Sequence, residues 1–501
     1  MDQEMPGTGE YFSEANVTAR ASPEAVDEAV ERILGAIYRA ELQNTTKCSP
    51  PDCEDWYRKN VTSREHVALA RTLAAESVVL LQNTGGLLPL TSAGGVGRIA
   101  VVGAAANGSV WNPAGNGQGI ADAWRIGDYY SGGGSGHVVA GHAVTALEGI
   151  TRRAEAAGMT VVAAATDDRL RAAAAAAGAD VAIVVAGAIA GEGKDRADLR
   201  LDGDADLLIE AVSKANKKTV VLLQIPGAVV MPWKSSVASI LALFLGGQET
   251  GNAWASVLFG DHAPTGRLPI MMPVTEADTI LPGPGSEVSY SEGMATSYRN
   301  KNFKAAFPFG HGLTYTTFEY GEPKSDALMH EQSINLTIRN TGPRPGRTVA
   351  QLYLELPAEA GHPAPLLKGF RKTPVLPPGA SAEVSFLLTR RDMSYYDAGL
   401  GSWVKAEGAV AHIGESAADI RRTITIDDFD RGSLRPAGGT LTMVVPFLLG
   451  CVLACGGVAT AAAALQRGGG GGDRKQTSRQ FLHDRGGDDD DSDSGSAATS
   501  E

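Results

Sequence analysis

The chain has 501 residues, 43% of them hydrophobic and 20% charged, and a formal charge of −13. That length exceeds one ordinary core and predicts two or three folded domains. The acidic balance excludes nucleic acid as a partner, because phosphate recognition needs a basic face.

In chain order, residues 1–7 (MDQEMPG) carry neither the basic nor the apolar region of a signal peptide. Ser22 as cap, Pro23 at the first helical position and apolar residues from Val26 to Ile37 predict an amphipathic helix over Pro23–Tyr38, with no partner nearby. Cys48 and Cys53 enclose a short polar stretch. A loop disulfide is one reading, conditional on an oxidising compartment, while a metal site lacks a second ligand pair. A second, alanine-rich helix is expected from about Arg64 to Leu81. Short apolar strands follow at Arg98–Val102, Thr160–Ala164, Val181–Val185, Thr219–Gln224 and Ser239–Phe244, with helices Asp167–Ala177 and Asp204–Ala215 between them. Strands separated by helices imply a parallel sheet covered on both faces. Beyond Phe318 the pattern becomes short β-type runs, Ser333–Arg339, Thr348–Leu356, Ala382–Leu388 and Val410–Ile413, broken by Pro/Gly turns. That is an all-β sandwich.

The uncharged run Leu441–Leu465 predicts a single-pass membrane helix. Cys451 and Cys455 within it read as small hydrophobes or lipidation sites. Arg467, Arg474, Lys475 and Arg479 behind it place the tail in the cytoplasm and the domains outside or in a lumen. The tail itself, Gln466–Glu501, has a disordered composition. Five N-x-[ST] acceptors, at Asn16, Asn44, Asn60, Asn107 and Asn335, fit passage through a secretory pathway.

For chemistry, the strand Val181–Val185 runs out into Ala186-Gly-Ala-Ile-Ala-Gly-Glu-Gly-Lys-Asp-Arg196. Glycines on both sides of Glu192 let the backbone bend and present a carboxyl group at a loop tip, with Asp195 and Arg196 close by. On spacing alone the plainer reading, a solvated surface loop, is preferred. Gly132-Gly-Gly-Ser-Gly136 lacks the Gly-Lys-Ser/Thr of a phosphate loop, and no dinucleotide fingerprint follows the first strand. No metal, cofactor or Ser/His/Asp arrangement is expected.

Several motifs taken in order resemble glycoside hydrolase family 3: residues 1–7, the helix Pro23–Tyr38, Glu76–Asn83 with Leu87–Leu90, Gly191-Glu-Gly193 with Asp195-Arg196, Gly246–Asn252, Tyr290–Gly293, Phe307–Tyr315, Leu367–Phe370 and Leu388–Ser394. The resemblance implies a remnant of a (β/α)8 barrel over 1–60, an α/β sandwich over 61–300, a fibronectin III-like domain over 301–430, the membrane helix over 441–465 and the tail over 466–501. It reverses the reading of Glu192, which becomes the acid/base of a β-glucosidase, with Gly191, Gly193, Asp195 and Arg196 as its substrate loop. The expected partner is a β-linked oligosaccharide or aryl glucoside. The glycine run 132–136 resembles β-glucosidases more than β-xylosidases.

Ala190 stands where the family usually has serine. The family's nucleophilic Asp lies upstream of the segment that is residues 1–7 here, and no Ser-Asp-Trp occurs. The expectation is therefore a fragment with one carboxylate of the two that retaining hydrolysis needs. A non-catalytic, membrane-tethered carbohydrate-binding or interaction protein, a β-xylosidase and a nucleotide-binding module are the other readings.

Overall fold

A computed structural model describes residues 13–44, 59–110, 127–192, 195–280, 290–328 and 331–426. Helices α1 (Glu14–Arg20) and α2 (Pro23–Arg39) start on Ser13 and Ser22, whose hydroxyls accept from the Asn16 and Ala25 N–H groups at 3.3 Å. α2 buries no residue; Val30, Ile33, Leu34 and Tyr38 all face solvent. Helix α3 (Arg64–Ser77) ends four residues short of the expected Leu81. The wholly apolar run that follows becomes strand β1 (Val79–Asn83), antiparallel to β6 (Ser239–Leu243). Val78–Leu81 are all buried, and in the sheet their backbone groups find partners that a last helical turn would leave unpaired.

The remaining strands, β2 (Arg98–Val102), β3 (Thr160–Ala164), β4 (Val181–Gly187) and β5 (Thr219–Gln224), lie in the order β1-β6-β5-β4-β2-β3, parallel apart from β1. Alternate residues point to opposite faces. Ile99, Val101, Ile183, Val185, Leu222 and Leu241 pack beneath α3, α4 (Ala146–Ala156) and α7 (Thr250–Leu258). Ala100, Val102, Val184, Val221 and Ile240 pack beneath α5 (Arg169–Ala177) and α6 (Ala205–Ala215). Helices α4 and α7 meet backbone to backbone: a Cβ on Gly149 would stand 2.1 Å from the Gly251 carbonyl oxygen, and one on Gly251 1.9 Å from that of Thr145. The outer edge of β1 is closed by Leu313, whose N–H donates to the Leu80 carbonyl at 2.8 Å.

Two antiparallel sheets form the second core. One joins β10 (Lys324–Leu328), β11 (Glu331–Asn340), β14 (Ser381–Thr389) and β9 (Phe318–Tyr320). The other joins β13 (Leu366–Lys372), β12 (Val349–Glu355), β17 (Val410–Ser416) and β18 (Asp419–Thr425). Ile334, Ile338, Leu352, Phe386 and Ile413 fill the space between them. Polar contacts tie this sandwich to the α/β part. Glu76 pairs with Lys372 at 2.7 Å and Arg347 at 3.3 Å. Arg267 donates to Thr348 Oγ1 at 2.9 Å. Within the α/β part, His311 Nε2 donates to the Leu81 carbonyl at 2.8 Å.

One expected element has to be corrected. Among the described residues no helix is long and apolar enough to cross a membrane, and Leu441–Leu465 lies outside them. The longest described helix, α2, has 17 residues and carries Glu24, Asp27, Glu28, Glu31 and Arg32, so it is a water-facing amphipathic helix rather than a span. The transmembrane helix, the single-pass placement with lumenal domains and a cytoplasmic tail, and the membrane as partner are withdrawn. Cys48, Cys53, Cys451, Cys455 and residues 1–7 also lie outside the described residues.

Candidate active site

The connection from β2 to β3 leaves on one side of β2, and the one from β3 to β4 returns on the other. The crevice beyond the carboxyl ends of β2 and β4 is therefore the topological switch point of the sheet. The loop leaving β4 carries Glu192 there.

That loop is stitched to the glycine run. The Gly133 N–H donates to the Ala190 carbonyl at 2.9 Å and the Glu192 N–H to the Gly133 carbonyl at 3.2 Å. The Ser135 N–H donates to Glu192 Oε2 at 2.7 Å. Between them Gly134 has φ +86°, and a Cβ on it would stand 2.2 Å from the Glu192 Cβ. Glycine is thus required both by its backbone angle and by the carboxylate beside it. The Glu192 side chain is exposed, and hydrogen bonding from the Ser135 side chain and N–H holds its pKa below the ordinary glutamate value.

Behind the loop, the Tyr129 ring lies flat against Gly187, where a Cβ would approach it to 2.5 Å. The Asp202 N–H donates to the Gly187 carbonyl at 2.9 Å and closes the base of the loop. Burial raises the Asp202 pKa, opposed by the Tyr129 hydroxyl, the Ile189 N–H and the charge of Arg196. Arg196 is half-buried and donates from Nη2 to the Ala228 carbonyl at 2.6 Å. Beyond β6, Leu245 takes φ +51° and the Gly247 N–H donates to the Tyr130 carbonyl at 3.0 Å, which brings a third loop against the glycine run. The buried Glu249 nearby is committed, accepting from Asn252 Nδ2 at 2.6 Å.

Residues 78–315 match the glycosyl hydrolase family 3 C-terminal domain, and residues 348–417 match a fibronectin type III-like domain. The chain belongs to glycoside hydrolase family 3. It is 34% identical over 470 residues to a probable β-glucosidase L of Aspergillus terreus, which takes in 84% of this chain. It spans 63% of that relative's own length. Among solved structures, β-glucosidase D2-BGL from Chaetomella raphigera superposes with a TM-score of 0.72 at 29% identity, covering 82% of this chain and 62% of that one. β-Glucosidase 3B from Thermotoga neapolitana, solved in complex with glucose, superposes with a TM-score of 0.66 at 27% identity, covering 83% and 60%.

Within this family 3 chain, Gly191 and Glu192 sit together at the switch point, while Gly193 lies outside the described residues. Asp195 is exposed, and Arg196 turns inward to Ala228 rather than to Glu192. Of the glycan acceptors, Asn60 is exposed outside helices and strands, Asn16 is in helix α1, Asn335 is inside β11, and Asn44 and Asn107 each end a short 3-10 turn. Among the described residues no His/Cys/Asp/Glu group suits a metal ion. A cavity of about 630 Å³, lined by Asn107, Thr151, Arg152 and Val161, does not include Glu192. Sequence reasoning named the glycine run only as a subtype marker and missed the contribution of Gly134 and Ser135 to the glutamate. It also missed Tyr129 and Asp202, whose spacing gives no signal because the sheet alone brings them together.

Proposed function

We propose that this chain supplies the acid/base half of a retaining β-glucosidase site, with Glu192 protonating the leaving oxygen and later activating water. The observation that carries the proposal is the Glu192 carboxyl group, held at the switch point by the Ser135 N–H across a glycine that no other residue replaces without strain. A general acid must begin protonated, whereas Glu192 here is exposed and its pKa is lowered. A glycoside covering it, together with a second carboxylate about 5–5.5 Å away, would reverse that shift by desolvation and like charge. The second carboxylate comes from outside the described residues. Terminal β-D-glucosyl residues are the substrate class favoured by the names of the relatives, and a β-xyloside is the alternative within the same mechanism.

In the native protein, Glu192→Gln is expected to slow hydrolysis of an aryl β-glucoside by about 10²–10⁴-fold, the usual contribution of general acid–base catalysis. Unchanged turnover would remove Glu192 from the mechanism. The exposed, singly placed carboxylate also fits a second reading, a carbohydrate-binding chain without catalysis. Saturable binding of a β-glucoside with no hydrolysis in the native protein would favour it.

A further inference from the structure

The seam between the α/β part and the sandwich holds a cleft of about 330 Å³, lined by Gly260–Ala263 after α7, Tyr315, the turn Arg344–Arg347 and Val375. Its charges are unequally matched. Asp261 is taken up by Arg153, which donates from Nε and Nη2 to the two carboxylate oxygens at 2.7 and 2.8 Å. Glu76 is taken up by Lys372 and Arg347. The Tyr315 hydroxyl donates to the Val257 carbonyl at 2.8 Å. The nearby carboxylates are thus already paired, while Arg344 lines the cleft together with Tyr315. His262 Nε2 is buried and has no hydrogen-bond partner among the described residues. A buried polar atom of that kind normally has a partner.

We propose that this cleft binds a small oxyanion, a phosphate, sulfate or carboxylate group, between Arg344, Arg347 and His262. A planar guanidinium fork suits such a group, and His262 Nε2 in its protonated tautomer supplies a further donor. The wall of Ala263, Pro345 and Val375 leaves room for a carbon skeleton, so the anion can be free or carried on a sugar. The contacts come from both domains, so the ligand strengthens their docking. Glycosidic chemistry plays no part in the site, which stands or falls apart from Glu192.

The test is calorimetric titration and thermal unfolding of the full chain with inorganic phosphate, glucose 6-phosphate and glucose. Saturable binding of either phosphate compound, with a rise in Tm and no response to glucose, is expected. Inorganic phosphate binding alone identifies a free anion as ligand, and tenfold tighter binding of glucose 6-phosphate identifies an anion carried on a sugar. Arg344→Gln should weaken binding at least tenfold and leave the Tm of the ligand-free chain unchanged. Arg347→Lys should also weaken binding while keeping the ion pair with Glu76. No saturable binding of either compound up to 20 millimolar (roughly a hundredfold above a useful affinity), or binding untouched by Arg344→Gln, overturns the proposal.

Discussion

At Gly134 two separate demands fall on one backbone position. Its φ of +86° strains any residue with a Cβ, and the Cβ would also collide with Glu192. Gly134→Ala is expected to cost about 1–3 kcal/mol locally and to displace the Glu192 carboxyl from Ser135. Hydrolysis by the native protein should then drop at least tenfold while the far-ultraviolet circular dichroism spectrum stays the same. If activity survives, the Ser135 contact is dispensable to the acid/base role. The glycine-flanked glutamate was legible in the sequence, and the ordered motifs raised it above a solvated loop. Ser135 as its donor was not legible, because 57 positions separate the two and only the approach of the loop after β4 to the glycine run joins them.

The helices differ sharply in what they contribute. α2 is amphipathic by pattern, but among the described residues nothing covers its apolar side, so Ile33→Asp should leave Tm unchanged within about 0.5 kcal/mol of stability. α7 is the opposite case, with Trp254 fully buried against the sheet. Trp254→Ala should cost about 3–5 kcal/mol, read as a shift in the denaturant midpoint. A large effect of Ile33→Asp would show that α2 is packed in solution. Elements with strong period and short length, such as β2, β3 and β5, were placed to the residue by sequence reasoning. α4 and α7 were not, because Gly149, Gly251 and their small neighbours blur the apolar stripe that the backbone contact makes unnecessary. β1 was read as the end of α3, since a buried run of four apolar residues carries no period by which to choose between strand and helix.

For the molecule as a whole, acid should weaken the α/β part and its seam with the sandwich. Burial depresses His311 below its ordinary value of 6.5, and His262 moves the same way for the same reason. The unfolded chain then takes up these protons first as pH falls. Their contribution to stability is complete above about pH 6.5 and is lost as pH drops through the folded values, with a slope of up to about 1.4 kcal/mol per pH unit for each histidine. His311→Gln keeps a donor for the Leu81 carbonyl and should lower proton uptake on unfolding just below about pH 6.5 by up to about one proton. An unchanged uptake would mean that His311 titrates freely in the native state.

Strand β1 has a consequence for the order in which the chain is made. It leaves the ribosome well before its partners, since its inner neighbour begins at Ser239 and its outer edge waits for Leu313. During synthesis, at roughly 5–20 residues per second, those buried aliphatic side chains lack their strand partners for roughly ten to forty seconds and offer a bare edge to other nascent chains. A nascent chain of this family should therefore engage holdase chaperones most strongly while residues 84–313 are being added, and release them when the segment leading into the sandwich arrives.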